Sequence, residues 1–128
     1  VAQLIKAMTR KRIQVDGARV LVMGLAFKEN CPDLRNTRVV DVVAELKEYD
    51  CQVDVYDPWV SAKEARDEYN IDLVEKPQID TYDSIILAVA HQQFKDMGVE
   101  GVKFLGRNTH ILYDLKYIFL SEDVDLRL

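Results

Sequence analysis

The sequence predicts an α/β fold: a doubly wound, mostly parallel Rossmann-like sheet with helices on both faces. Two uninterrupted apolar runs of strand length carry this reading, Arg19 to Phe27 and Ser84 to Ala90. Runs of that kind belong to strands buried on both faces. A third observation is that segments with helical apolar spacing alternate with the strand segments, which implies parallel pairing through right-handed crossovers.

Taken in order, Val1 to Met8 reads as the last turns of a helix already under way, so residues 1–16 are expected to end an inter-domain linker helix. Residues 17–128 then form the domain proper. Asp16-Gly17 is a turn, and the run from Arg19 to Phe27 follows as the expected central strand. Val39, Val43 and Leu46 recur at i, i+4 and i+7, with Asn36 or Thr37 as the N-cap of that helix. Gln52 to Tyr56 alternates apolar and polar residues and stops at Asp57-Pro58. Ser61 to Tyr69 is a short polar helix, with Ser61 and Glu64 placed as a capping box. Ile71 to Val74 reads as an edge strand closed by Pro77, Phe94 to Met97 as a helical turn, and His110 to Tyr113 as a last strand ending in Asp114-Leu115-Lys116.

Composition narrows the function. The chain has 128 residues, 48% hydrophobic and 30% charged, which suits one ordinary domain with a real core. A net charge of −5 speaks against nucleic acid, whose binders show a basic face and a high pI. Lys6, Arg10, Lys11 and Arg12 therefore read as a solvated helical face. Cys31 and Cys51 have no CxxC spacing and no neighbouring histidine, as in a reduced, cytoplasmic protein without a metal site. No apolar run approaches the roughly 18 residues of a membrane span.

Open α/β sheets bind ligands outside the carboxyl ends of their strands. Lys28 follows Gly24-Leu25-Ala26-Phe27 onto that edge, and Lys116 leaves the last strand in the same way. Arg35 precedes a helix start, where free N–H groups and the helix dipole favour an anion. The expected ligand is a phosphorylated or carboxylated small molecule. A G-x-G-x-x-G dinucleotide cradle is absent, because its positions hold Gly24, Ala26 and Glu29. Asp57 before Pro58 reads as a turn former rather than a ribose-binding acid. Cys31 has cations near it but no base, and is not read as a nucleophile. His91 belongs to the same edge; without an acid visible nearby in sequence it reads as a structural or capping residue. His110 reads as a strand-start residue.

The run Gly24-Leu25-Ala26-Phe27-Lys28, then Asp33-Leu34-Arg35 and Val55-Tyr56-Asp57-Pro58, resembles the C-terminal domain of the UDP-glucose/GDP-mannose dehydrogenase family. The spelling from Phe27 to Thr37, with Ala88-Val89-Ala90-His91, is similar to the branch of UDP-N-acetylhexosamine 6-dehydrogenases of Vi-antigen and capsular polysaccharide synthesis. The resemblance implies part of an enzyme that oxidises the C6 alcohol of a UDP-sugar to a carboxylate, using two NAD+ and a cysteine thiohemiacetal. NAD would be bound mainly by a preceding domain, with the reactive cysteine also upstream, so this chain alone would be inactive. It implies that Phe27 and Lys28 contact the sugar, with Lys28 near its C6 oxygens, and that Arg35 reaches the NAD pyrophosphate. Many members end the last strand with Asp-Gly-Arg; Asp114-Leu115-Lys116 replaces that guanidinium fork with a point charge at the sugar contact. The implied partners are the UDP-sugar and the preceding NAD-binding and central domains of the same chain, in a homo-oligomeric enzyme. Two readings from other classes remain open. A receiver-like signalling domain would need an acidic pair after its first strand, and a non-catalytic interaction module would keep the Rossmann-like shell alone.

Overall fold

A computed structural model describes residues 1–128. Its elements are α1 (Ala2–Arg10), β1 (Arg19–Met23), α2 (Val39–Glu48), β2 (Gln52–Tyr56), α3 (Ala62–Tyr69), β3 (Tyr82–Leu87), α4 (Gln92–Lys103), β4 (Gly106–Asp114) and β5 (Leu126–Arg127). The five strands are all parallel, in the order β2-β1-β3-β4-β5.

The period-2 geometry of the strands sorts their side chains onto two faces. Val20 and Val22 of β1 and Ile86 of β3 face α1 and α2, where Leu4, Met8, Val43 and Leu46 complete a single core. Leu21, Met23, Ile85 and Leu87 point the other way, onto Phe94 and Val102 of α4. Helices therefore cover both faces, as the continuous apolar runs predict. Leu4 and Met8 are fully buried, so α1 is fastened to the main core. Each such side chain stabilises the fold by roughly 1.5–3 kcal/mol.

Several boundaries differ from the sequence reading. β1 stops at Met23 rather than Phe27 because Gly24 turns the chain with φ +104°. Leu25 and Ala26 then give their N–H groups to the Asp57 carboxylate instead of a neighbouring strand. They are apolar because they are buried, not because they are extended. β1 lies inside the sheet, but the middle position belongs to β3. Ile71 to Val74 contributes one parallel bridge, Val55 to Leu73, rather than a strand. The helical turn at Phe94 extends to a full α4, kinked where Gly98 adopts φ 71°. β4 begins at Gly106, upstream of His110, and the two-residue β5 was invisible in the pattern.

One of the two expected helix caps follows its predicted chemistry. The Ser61 hydroxyl accepts the Glu64 N–H at 3.3 Å. At α2 the N-cap is Arg38 rather than Asn36 or Thr37, with no side-chain cap bond of its own. The Thr37 hydroxyl one residue earlier accepts the Val39 N–H (3.2 Å) and donates to the Leu25 carbonyl at 2.7 Å. That bond ties the start of α2 to the loop leaving β1.

Candidate functional site

In this strand order the chain reverses direction between β1 and β3, and the crevice at such a switch point is where open α/β sheets take ligands. A cavity of about 230 Å³ lies there. Its walls are Ala26 to Glu29 from the loop after β1, Asn36 to Val39 at the start of α2, Ala88 to Ala90 after β3, and Lys116 after β4. Lys28 and Lys116, reached separately from two strand ends in the sequence, line the same cleft. Neither ammonium has a carboxylate partner within ion-pair distance. Phe27 stands 54% exposed at the rim. Arg38, which the sequence reading passed over, adds a third cation; its position directly before the periodic run at Val39 was the available signal. With Arg38 paired to Asp41 at 3.9 Å, Lys28 and Lys116 against Glu29 leave the cleft a net positive charge beside the N-terminus of α2, a setting that favours an anion.

Beside the cleft the segments leaving β1 and β3 approach each other closely. Gly24 makes this possible: a Cβ there would lie 2.6 Å from Val89 Cβ and 2.9 Å from the Val89 nitrogen. The loop beyond it is pinned repeatedly. Asp57 Oδ2 accepts from Leu25 N (2.7 Å) and Ala26 N (2.9 Å), and Phe27 N donates to the Asp33 carbonyl at 2.7 Å. Asn30 N donates to His91 Nδ1 (2.9 Å), and the Tyr69 hydroxyl donates to the Leu34 carbonyl (2.6 Å). Asp57 Oδ1 takes the Trp59 N–H at 2.8 Å, and His91 Nε2 stands 2.9 Å from Asp57 Oδ2. Burial raises the Asp57 pKa, but the bonds from His91, Leu25, Ala26 and Trp59 outweigh it and hold this carboxyl below its ordinary value. Asp57 is thus more than a turn former, and His91 has an acid partner 34 residues away in sequence.

Lys116 is fixed by the same device. Buried Asp114 accepts from Lys116 N (3.1 Å) and Phe119 N (2.9 Å), shaping the loop that leaves β4. Arg35 sits elsewhere. It lies in the turn ahead of α2, with Nε and Nη2 each 3.1 Å from the Asp33 carboxylate. Its surroundings form a separate depression with Leu34, Glu64, Glu68 and Tyr69. Arg35's hydrogen bonds keep the Asp33 carboxyl below its usual range, and the carboxylate in turn raises Arg35.

A larger cavity, about 540 Å³, opens at the amino edge of the sheet around Lys11, Arg12, Asp83 and Arg107. Its cations are largely answered: Lys11 pairs with Asp125 at 2.9 Å and Arg107 with Asp83 at 3.2 Å. Arg12 is left without an ion pair there, whereas at the carboxyl edge two unpaired ammonium groups, Lys28 and Lys116, share one cleft. Cys31 is partly exposed and Cys51 buried, both as free thiols; burial pushes the Cys51 thiol up.

The sequence pattern of the UDP-glucose/GDP-mannose dehydrogenase family, UDP binding domain, matches residues 21–121, which carry every element of this cleft. The chain belongs to that family. It is 62% identical over its full length to a UDP-N-acetyl-D-glucosamine 6-dehydrogenase of Pseudomonas aeruginosa. Over 98% of its length it is 56% identical to the enzyme of the same name from Salmonella typhi. It spans about 30% of either relative. Among solved structures, UDP-D-ManNAc dehydrogenase from Pyrococcus horikoshii superposes with a TM-score of 0.74 at 25% identity, over 98% of this chain and 29% of that one. The family and branch expected from the motifs between Gly24 and His91 are thereby met, and the Rossmann-like fold with them. No helix is long and apolar enough to cross a membrane.

Proposed function

We propose that this chain is the C-terminal, nucleotide-sugar-binding wall of a longer NAD-dependent UDP-N-acetylhexosamine or UDP-glucose 6-dehydrogenase. The observation that carries the proposal is the meeting of unpaired Lys28 and Lys116 with the start of α2 at the switch point of a sheet from this family. The cations and first-turn N–H groups attract the diphosphate. Phe27 offers a ring to the sugar, and Lys28 stabilises negative charge developing on the C6 oxygen during oxidation.

NAD, when bound, takes up the hydride. The residues here cannot cradle the whole dinucleotide, since the loop after β1 runs for fifteen residues, Gly24 to Arg38, before α2 begins. They fit one contact to it: Asp33 occupies Nε and Nη2 of Arg35, leaving Nη1 for a phosphate oxygen. The cradle and the reactive cysteine would come from preceding domains, to which residues 1–16 lead, in a cytoplasmic homo-oligomer. A receiver role is disfavoured by Asp57, which is 5% exposed with both oxygens engaged and cannot meet a phosphodonor.

The test is a thermal-shift titration with UDP-N-acetylglucosamine, since a ligand stabilises by RT ln(1 + [L]/Kd). A dose-dependent rise in Tm is expected. Lys28→Ala or Lys116→Ala should weaken it about tenfold to a hundredfold, the worth of a charge-assisted bond of roughly 1.5–3 kcal/mol. No shift at millimolar ligand, or none of it lost in either variant, would refute the assignment.

A further inference from the structure

The loop that carries Phe27 and Lys28 begins and ends on one buried pair, Asp57 and His91. At its start, Leu25 and Ala26 are bonded to Asp57, which faces His91 Nε2 at 2.9 Å. At its end, the Asn30 N–H donates to Nδ1 of the same ring at 2.9 Å. Asn30 is held a second time, its side-chain oxygen accepting the Gln92 N–H at 2.8 Å. Between the two anchors lie Phe27, Lys28 and Glu29, all exposed at the cleft.

A ring nitrogen that accepts an N–H must carry a lone pair, so Nδ1 is unprotonated. The neutral ring then bears its proton on Nε2, where the Asp57 carboxylate receives it. His91 is completely buried, with Phe94 edge-on at 5.4 Å and Trp59 tilted against it at 6.2 Å. Asp57 is the charged group in contact with it. The His91–Asp57 bond is buried from water, and the Asn30 bond is partly buried.

We infer that His91 is a positioning residue for the nucleotide-sugar cleft: through the acceptor Nδ1 it fixes the backbone at Asn30 and hence the place of Lys28. The inference rests on the reading given above for the cleft. Asp57 fixes the tautomer, and the ring fixes the separation of the two anchors. Removal of His91 would leave the three backbone N–H donors on Asp57 but free the Asn30 backbone, leaving that end held only through the Asn30 side chain on the Gln92 N–H.

Two substitutions separate the halves of this contact. His91→Gln can place an amide N–H near Nε2 and still donate to Asp57, but offers no acceptor to Asn30. His91→Asn can place a carbonyl near Nδ1 and still accept from Asn30, but does not reach Asp57. In the 128-residue chain, His91→Gln is expected to speed amide exchange at residues 28–30 by about threefold to tenfold and to weaken UDP-N-acetylglucosamine binding by a similar factor, as for one lost hydrogen bond. His91→Asn should stay within about twofold of the unsubstituted chain in both. The 15N spectrum of the unsubstituted chain should show a neutral imidazole protonated at Nε2. A ring protonated at Nδ1, equal losses in the two variants tracking equal losses of Tm, or a His91→Gln variant indistinguishable from the original would overturn the inference. Absence of any UDP-sugar binding by the unsubstituted chain would instead refute the cleft assignment, while the spectrum and the exchange at Asn30 still decide the role of His91.

Discussion

Arg35 shows how one side chain can be well placed and still stand outside the main cleft. Its guanidinium is locked to Asp33 and faces a different depression from Lys28 and Lys116. The pair is solvent-exposed, so it contributes little to stability. Under the proposed NAD contact, the pair serves to aim the remaining donor. Arg35→Ala should therefore leave UDP-sugar affinity of this chain within about twofold and its Tm nearly unchanged. In the full-length dehydrogenase it should raise the KM for NAD+ roughly tenfold or more, the size of a lost charge-assisted bond. Steady-state kinetics with each substrate varied in turn provide the check. An equal rise in both KM values would mean that Arg35 holds the loop, not the cofactor.

At the scale of elements, Gly24 decides how closely the segments leaving β1 and β3 can approach beside the cleft. It combines a left-handed φ of +104° with a virtual Cβ 2.6 Å from Val89. Gly24→Ala meets both penalties at once, backbone strain of about 1–3 kcal/mol and overpacking of about 1–3 kcal/mol. A loss of roughly 2–5 kcal/mol in urea unfolding is expected, against a fraction of that for Gly17→Ala, whose virtual Cβ meets nothing. The strands and helices around Gly24 were legible because their periodicity is local: Val39, Val43 and Leu46 are all buried, as their spacing required. That Lys28 and Lys116 belong to one sheet edge was legible because both follow the carboxyl ends of parallel strands, although β1 ends at Met23, well before Lys28. The end of β1 was not legible, since Leu25 and Ala26 satisfy their N–H groups on a carboxylate from β2, a contact no window of sequence contains. The His91–Asp57 contact was hidden for the same reason. Arg38 was missed because the cap was sought at Asn36 or Thr37 and the helix starts two residues later.

At the scale of the whole molecule, Asp57 couples the sheet to the cleft and makes their stability depend on pH. One buried carboxylate joins the end of β2 to the loop after β1, to Trp59 and to His91 ahead of α4. Its pKa is lower in the folded chain than the ordinary carboxylate value near 3.9. The unfolded chain therefore binds the proton more readily, and stability falls as the proton is taken up. The contribution is fully present above about pH 5. It declines as pH drops through about 4 toward the lower folded value, and it is gone below both. Asp33 is depressed in the same direction, but it is exposed and screened, so its share is small. Asp57→Asn keeps the volume and removes the charge, setting an amide against N–H donors. It should destabilise the chain by roughly 1.5–3 kcal/mol at pH 7. Because the variant has no such proton to gain, the gap between the two proteins should narrow steadily from pH 5 to pH 3. Urea unfolding at each pH measures that gap. A gap of constant size across the range would show that Asp57 acts through shape and not through its charge. Since the same carboxylate anchors the Lys28 loop, exchange at Leu25 and Ala26 should accelerate over the same interval, ahead of global unfolding.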